Sequence, residues 1–379
     1  MAGPAAMPRA LERLEAAIAA TANPLDRARL QAERAAMLAR LGRMEEAADA
    51  RVAALGERGP AAEPSISIAL AMAEAMADFY RDFNLAARDR LRRAHALASA
   101  ARLRPQQALA AAWLAHIDYL QHDLPALARH LDEAFGHSDD QAHDTRARAC
   151  LVVAQALHWA GDEAGATPWY TRARAHAQAA GDDATRSALM HNQAWLRGVQ
   201  AREALLWAGS SGTALGTGPS PSDVHVQAAR NLDRWIDSRS LDASLSLLEA
   251  LLAVDRGDAE LARSQLQALA PVLVEQGLGH LRAWAEADQA WCCLVGSVPD
   301  AQSARAHAQA ALGALEPQQE PEDRALTHAR LAQVQQRLGD AEAAAHHALC
   351  AEADTLAHRQ RQQAMREALA PLVARHVQG

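Results

Sequence analysis

The chain has 379 residues, is 50% hydrophobic but only 4% aromatic, and carries a net charge of −8 with a pI near 6.1. The acidic balance speaks against a nucleic-acid surface, and the shortage of Phe, Tyr and Ile speaks against a sheet-based core. All 38 basic residues are arginine, which excludes Schiff-base, lysine general-base and P-loop chemistry.

Residues 9–27 read as a helix and entry turn, with Pro24 marking the break. Helix pairs then follow at roughly 28–60, 64–101, 105–138 and 145–181, separated by Gly59-Pro60, Pro105 and Ser138-Asp139-Asp140. A long helix is expected from Asp183 through Trp207. Next comes the single low-complexity stretch, 209–222, rich in Gly, Ser and Pro. It reads as a flexible loop, either an insertion within one helix pair, with 223–238 as the returning helix, or a hinge. A second array is expected at about 241–270, 280–315 and 322–357, irregular around Gly296–Asp300, with a capping helix from about 360 to 376. The expected domains are therefore an N-terminal array, 1–208, the loop, 209–222, and a C-terminal array, 223–379.

A turn motif recurs along this series. Leu41-Gly42-Arg43-Met44-Glu45-Glu46-Ala47, Ala160-Gly161-Asp162-Glu163-Ala164, Arg256-Gly257-Asp258-Ala259-Glu260 and Leu338-Gly339-Asp340-Ala341-Glu342 each read as helix end, turn and new helix. The glycine permits a left-handed cap, and the following Asp can cap the next helix. Apolar and small residues follow at offsets that share one helical face. Seven residues before each glycine stands an alanine, Ala35, Ala154, Ala250 or Ala332, where two paired helices would cross closely. Two further units fit around Ala75, Asp82, Ala87, Leu91 and Ala94, and around Ala115, His122, Leu127, Leu131 and Ala134. Ala54, Ala94, Ala134 and Ala173 close the first four units, with spacings of 40, 40 and 39 residues.

This pattern resembles the tetratricopeptide repeat family, in its long-period bacterial form. The resemblance rests on the family's Gly-x-Tyr/Glu-Glu-Ala turn and its small-residue positions. The ~40-residue period exceeds the family's usual ~34, and the usual helix-A Trp and Tyr and terminal Pro are mostly missing. It implies an all-α fold, an α-solenoid of about 7–8 antiparallel helix pairs, and a non-enzymatic scaffold or adaptor that binds a protein or peptide. A generic helical bundle is the alternative fold. The alternative function is a ligand- or peptide-sensing regulatory module acting through a separate partner protein.

No G-x-S-x-G, Walker A, G-x-G-x-x-G or H-E-x-x-H pattern occurs. His346 and Cys350 share a helical face but lack a third metal ligand in the sequence, and Asp139-Asp140 and Asp182-Asp183 read as helix caps. No catalytic residue, cofactor or metal is therefore expected. Cys150, Cys292, Cys293 and Cys350 form no CxxC spacing and suit a reducing compartment. The residues after Met1 lack a leader pattern and no long uncharged apolar run occurs, so a cytoplasmic chain without a membrane span is expected.

The family resemblance implies that first-helix positions line a concave face. Transferred by register, they select Met76, Phe79 and Tyr80, then His116 and Tyr119, then His158 and Trp159, and finally His191 and Trp195. Aromatic side chains dominate binding hot spots, and Met adapts to varied partners. These residues could equally pack inside the array or form a homodimer interface. The family's carboxylate clamp uses Lys, which this chain lacks. The cluster His191-Asn192-Gln193-Ala194-Trp195-Leu196-Arg197 is the densest polar–aromatic stretch.

Overall fold

A computed structural model describes residues 7–60, 63–207 and 221–376. Among them the chain is all-helical, without strands. It divides into two compact units, one made of 1–190, 231–241 and 363–379, the other of 191–230 and 242–362. This division does not follow the Gly/Ser/Pro stretch. Residues 191–207 group with the second unit, and 231–241 with the first. Most of that stretch lies outside the described residues, which resume at Pro221.

In the first unit α1 (Arg9–Ala20) leads to four helix pairs. These are α2 (Pro24–Arg40) with α3 (Met44–Arg58), α4 (Pro64–Asp82) with α5 (Ala87–Ala100), α6 (Arg104–Leu120) with α7 (Leu124–Gly136), and α8 (His143–Trp159) with α9 (Glu163–Ala180). Each first helix packs on its own partner; α2 also packs on α4, and α6 on α8. The alanines that close each unit, Ala54, Ala94, Ala134 and Ala173, are all fully buried. A larger side chain there would separate helices packed at interior density.

α10 (Asp183–Trp207) and α11 (Pro221–Ile236) follow. The second unit then pairs α12 (Asp242–Arg256) with α13 (Ala259–Glu275), and α14 (Arg282–Val295) with α15 (Ala301–Ala314), and α14 also packs on α16 (Pro321–Leu338). The expected turn and capping helix near 360 are absent. α17 runs without interruption from Ala341 to His376, 36 residues. Ala357-His358-Arg359-Gln360 contains no Gly or Pro, so nothing stops the helix there.

The turn glycines Gly42, Gly161, Gly257 and Gly339 all have positive φ. The two units without a turn glycine reach the same left-handed conformation at Phe83 (φ 53°) and His122 (φ 52°). In the first of these the turn falls one residue beyond Asp82. Asp162 accepts from Gly165 N at 2.8 Å and Asp340 from Ala343 N at 3.0 Å, while Asp258 makes no capping bond. No helix among the described residues is long and apolar enough to cross a membrane.

Candidate functional site

In the first unit, helices α4, α6 and α8 bring aromatic and cationic side chains together. Phe79 and Tyr80 meet edge to face at 5.1 Å. Tyr80 stands T-shaped to Trp113 at 6.3 Å, and His116 to Phe79 at 5.5 Å. The guanidinium of Arg148 lies 3.7 Å from the Trp113 ring centroid, and that of Arg40 lies 5.4 Å away. Arg40 is neutralised, because one of its nitrogens donates to both oxygens of Asp182, at 2.9 and 2.8 Å, and to Thr185 Oγ1 at 2.6 Å. Burial works against the Asp182 charge, but Arg40 and Thr185 outweigh it and lower its pKa.

Arg148 is different. It is 2% exposed, makes no ion pair with a carboxylate among the described residues, and its Nε and Nη2 make no hydrogen bond there. Burial lowers its pKa, with Tyr80 opposing. Burial, with Arg148 adding to it, pushes the His116 pKa down to about 3, so this imidazole is neutral. Its Nδ1 also makes no hydrogen bond.

Of the residues selected from the sequence, Met76, Phe79, Tyr80, His116, Tyr119, His158, Trp159 and His191 are all buried, and Trp195 is half-buried. Phe79, Tyr80 and His116 share the cluster around Trp113. Tyr119 and Trp159 flank His122, at 6.5 and 4.8 Å between ring centroids. His158 Nδ1 bonds Tyr170 Oη at 3.1 Å. His191 and Trp195 belong to the second unit, where Trp195 stacks on Trp284 at 6.1 Å. None of the first-unit residues presents an open aromatic surface.

Sequence reasoning missed Trp113, Arg148 and Arg40. The available signal was a single arginine inside a long apolar run. Every residue from Ala147 to Ala154 is buried, Arg148 included.

The same signal marks Asp118 on α6, fully buried in His116-Ile117-Asp118-Tyr119. Arg88 Nη2 donates to Asp118 Oδ1 at 2.5 Å, and His130 Nδ1 bonds Oδ2 at 2.5 Å. A carboxylate orienting an imidazole is half of a nucleophilic triad. Here the other ring nitrogen, Nε2, lies 3.5 Å from Arg129 Nη2, a group that can only donate, and no hydroxyl or thiol among the described residues hydrogen-bonds it.

The second unit holds a buried ion network. Arg202 on α10 bonds Asp288 on α14 and Asp255 on α12, the latter at 2.7 Å. Arg330 on α16 bonds Asp288 at 2.7 Å and Asp255 at 3.4 Å. Two cations and two anions balance. Burial works against the Arg202 charge, but the two carboxylates outweigh it and raise its pKa. Arg330 and Arg337 both lie 5.0 Å from the Trp291 ring.

Beside this network lies a cavity of about 250 Å³, lined by Ala201, Leu205 and Leu252 with Arg197, His225 and Asp255. His225 Nδ1 donates to the Pro221 carbonyl at 2.6 Å. Its Nε2 lies 2.6 Å from Arg197 Nη1 and must accept, because a guanidinium only donates.

Among the described residues no three His, Cys, Asp or Glu side chains group as a metal site; His346 Nε2 and Cys350 Sγ stand alone at 3.7 Å. No family model matches this sequence, and no curated protein resembles it to a significant degree.

Proposed function

We propose that the chain is a non-enzymatic binding module of tetratricopeptide type, its helix pairs stacked as an α-solenoid, that recognises a protein or peptide segment through the first helices of the first unit. The observation that carries this reading is Arg148. A guanidinium buried without a carboxylate partner and held by stacking on Trp113 keeps a charge that a ligand acid can pair. Folded proteins keep such features chiefly at functional positions. Trp113, Tyr80 and His116 around it offer stacking and hydrogen bonding, so a peptide segment with an acidic group beside an apolar residue fits the set. Because these side chains are buried, binding requires the first helices to part.

The test is selection from a displayed peptide library on the purified chain, with Arg148→Met as the control and circular dichroism to verify its fold. Selected peptides should carry an acidic group, and the variant should bind them at least about tenfold more weakly, the loss expected for one charged hydrogen bond. Peptides that bind both proteins equally would defeat the proposal.

A second reading, a ligand-sensing regulatory module that acts through a separate partner protein, is favoured by the second unit's cavity. Its walls are mostly aliphatic, with a few polar groups, the usual make-up of a small-molecule site.

A further inference from the structure

In the second unit, α16 and α17 bring two imidazoles together. His328 sits midway along α16 and His347 in the second turn of α17. Their Nδ1 atoms lie 3.1 Å apart. The ring planes are 26° apart and the centroids 5.2 Å apart. The nitrogens are thus far closer than the centroids, so the rings approach through those edges. A neutral imidazole carries one proton, so in this pair one Nδ1 donates and the other accepts. His347 is 5% exposed and His328 is half-buried, which holds the pair in place and leaves it within reach of an ion from solvent.

The same separation suits a metal ion. Zinc holds imidazole nitrogens at ~2.0–2.1 Å, so two ligating nitrogens 3.1 Å apart subtend about 100° at the ion, between a right angle and the tetrahedral value. Both rings are neutral near pH 7, because burial holds the His328 pKa down at about 4 and lowers that of His347. The neutral imidazole is the form that ligates. Arg324, a cation that acts on His328, is itself paired with Asp354. The nearby Cys350 thiol bonds His346 Nε2 at 3.7 Å and not this pair. His143 and His176 of the first unit also face each other through Nδ1 at 3.1 Å, but there two guanidiniums, Arg146 and Arg172, act on His176 against one carboxylate, Asp140. That excess of positive charge disfavours a cation.

We propose that His328 and His347 bind a divalent late transition-metal ion, zinc or nickel, through their two Nδ1 atoms. On binding, the ring that holds its proton on Nδ1 takes its other tautomer, with the proton on Nε2, so no net proton is released. Two protein ligands fall short of the closed set of four that holds a fold together. The remaining positions are filled by water or by a donor from a ligand, which makes this an open centre. Imidazole suits zinc and nickel, whereas magnesium and calcium prefer oxygen ligands. The inference does not depend on either functional reading above.

The experiment is isothermal titration of the full chain with Zn²⁺ and Ni²⁺, and in parallel with Mg²⁺. Zinc and nickel should bind and magnesium should not. His328→Gln and the double variant His328→Gln/His347→Gln should each weaken zinc binding by at least about tenfold, since losing a ligand costs no less than losing an outer-shell partner. Cys350→Ser and His143→Gln/His176→Gln should leave it unchanged. Circular dichroism verifies the fold of each variant. Should the variants of the pair fail to fold, the wild type still decides, because zinc should shift the imidazole nitrogen resonances of His328 and His347 in NMR spectra. Binding of neither ion, zinc binding unchanged in folded His328→Gln, its loss in Cys350→Ser, or zinc-induced shifts confined to other histidines overturns the assignment.

Discussion

Arg148 on α8 lies 3.7 Å from the ring centroid of Trp113 on α6, and this stacking takes the place of an ion pair for a guanidinium that is 2% exposed. A desolvated cation–π contact contributes ~2 kcal/mol or more. Removing a guanidinium from water costs at least that much. The charge is therefore close to neutral for folding. Arg148→Met, which keeps most of the volume, is expected to leave the unfolding free energy within about 1 kcal/mol of wild type or to raise it. Arg148→Ala, which leaves a cavity, should cost ~2 kcal/mol or more. Urea denaturation distinguishes these. A loss above ~3 kcal/mol in Arg148→Met would mean that the charge itself holds the core.

Asp288 gives the opposite expectation, because it bonds both Arg202 and Arg330 and is fully buried. Asp288→Asn leaves two buried guanidiniums with one carboxylate, and should cost ~3–5 kcal/mol. The double variant Arg202→Met/Asp288→Leu restores charge balance and should recover part of that loss. A single variant as stable as wild type would show that the network is not what joins α10, α14 and α16.

Acid should destabilise the fold at two histidines. Burial lowers the His116 pKa from 6.5 to about 3, and the His328 pKa from 6.5 to about 4, with His347 adding to the latter. Between those values and 6.5 the unfolded chain binds more protons than the folded one, so the contribution present above pH 6.5 is lost as pH falls. For His116 the loss at pH 5 is on the order of 2 kcal/mol. His116→Gln should flatten the dependence of the denaturation midpoint between pH 7 and 5. An unchanged slope would place the proton uptake elsewhere.

The turn glycines separate into two kinds. A Cβ at Gly42, where φ is +77°, would stand 2.6 Å from the backbone nitrogen of Ser240, whereas one at Gly339, where φ is +84°, would meet nothing within 4 Å. Both substitutions strain the left-handed conformation by ~1–2 kcal/mol. Gly42→Ala must also displace the 239–240 backbone, which is tied to the turn by Arg239 N donating to Leu41 O at 2.9 Å. Thermal melts should therefore show a distinctly larger loss for Gly42→Ala than for Gly339→Ala.

The thiols give a simple reactivity test. Burial pushes the Cys150 and Cys292 pKa values up to about 12 and raises that of Cys293. Cys350 alone is not buried. Thiol titration of the native protein should count one fast-reacting group, and four after denaturation. A second fast group would show that one of the buried thiols is reached by local opening.

The sequence by itself determined the local elements. The Gly-Asp turns, the ~40-residue recurrence and the small residues that close each unit follow from capping, helix propensity and side-chain size, all of which act over a few residues. Hence the paired helices, the long α10 and the buried Ala54, Ala94, Ala134 and Ala173 were legible without coordinates. The candidate site was legible only in part. Phe79, Tyr80 and His116 were named, with groove lining, internal packing and a dimer interface all left open, and Trp113 and Arg148 were not. Whether a side chain at a first-helix position faces solvent depends on how closely the next helix packs, and no local pattern encodes that. The tertiary structure alone decided the rest. The grouping of 191–207 with the second unit, the left-handed turn at Phe83, and an ion network joining residues 53, 75 and 86 apart in the chain are set by neighbours distant in sequence. Desolvation and charge pairing depend on what surrounds a group in space, and that is why one arginine in an apolar run could be seen in the sequence but its partner on Trp113 could not.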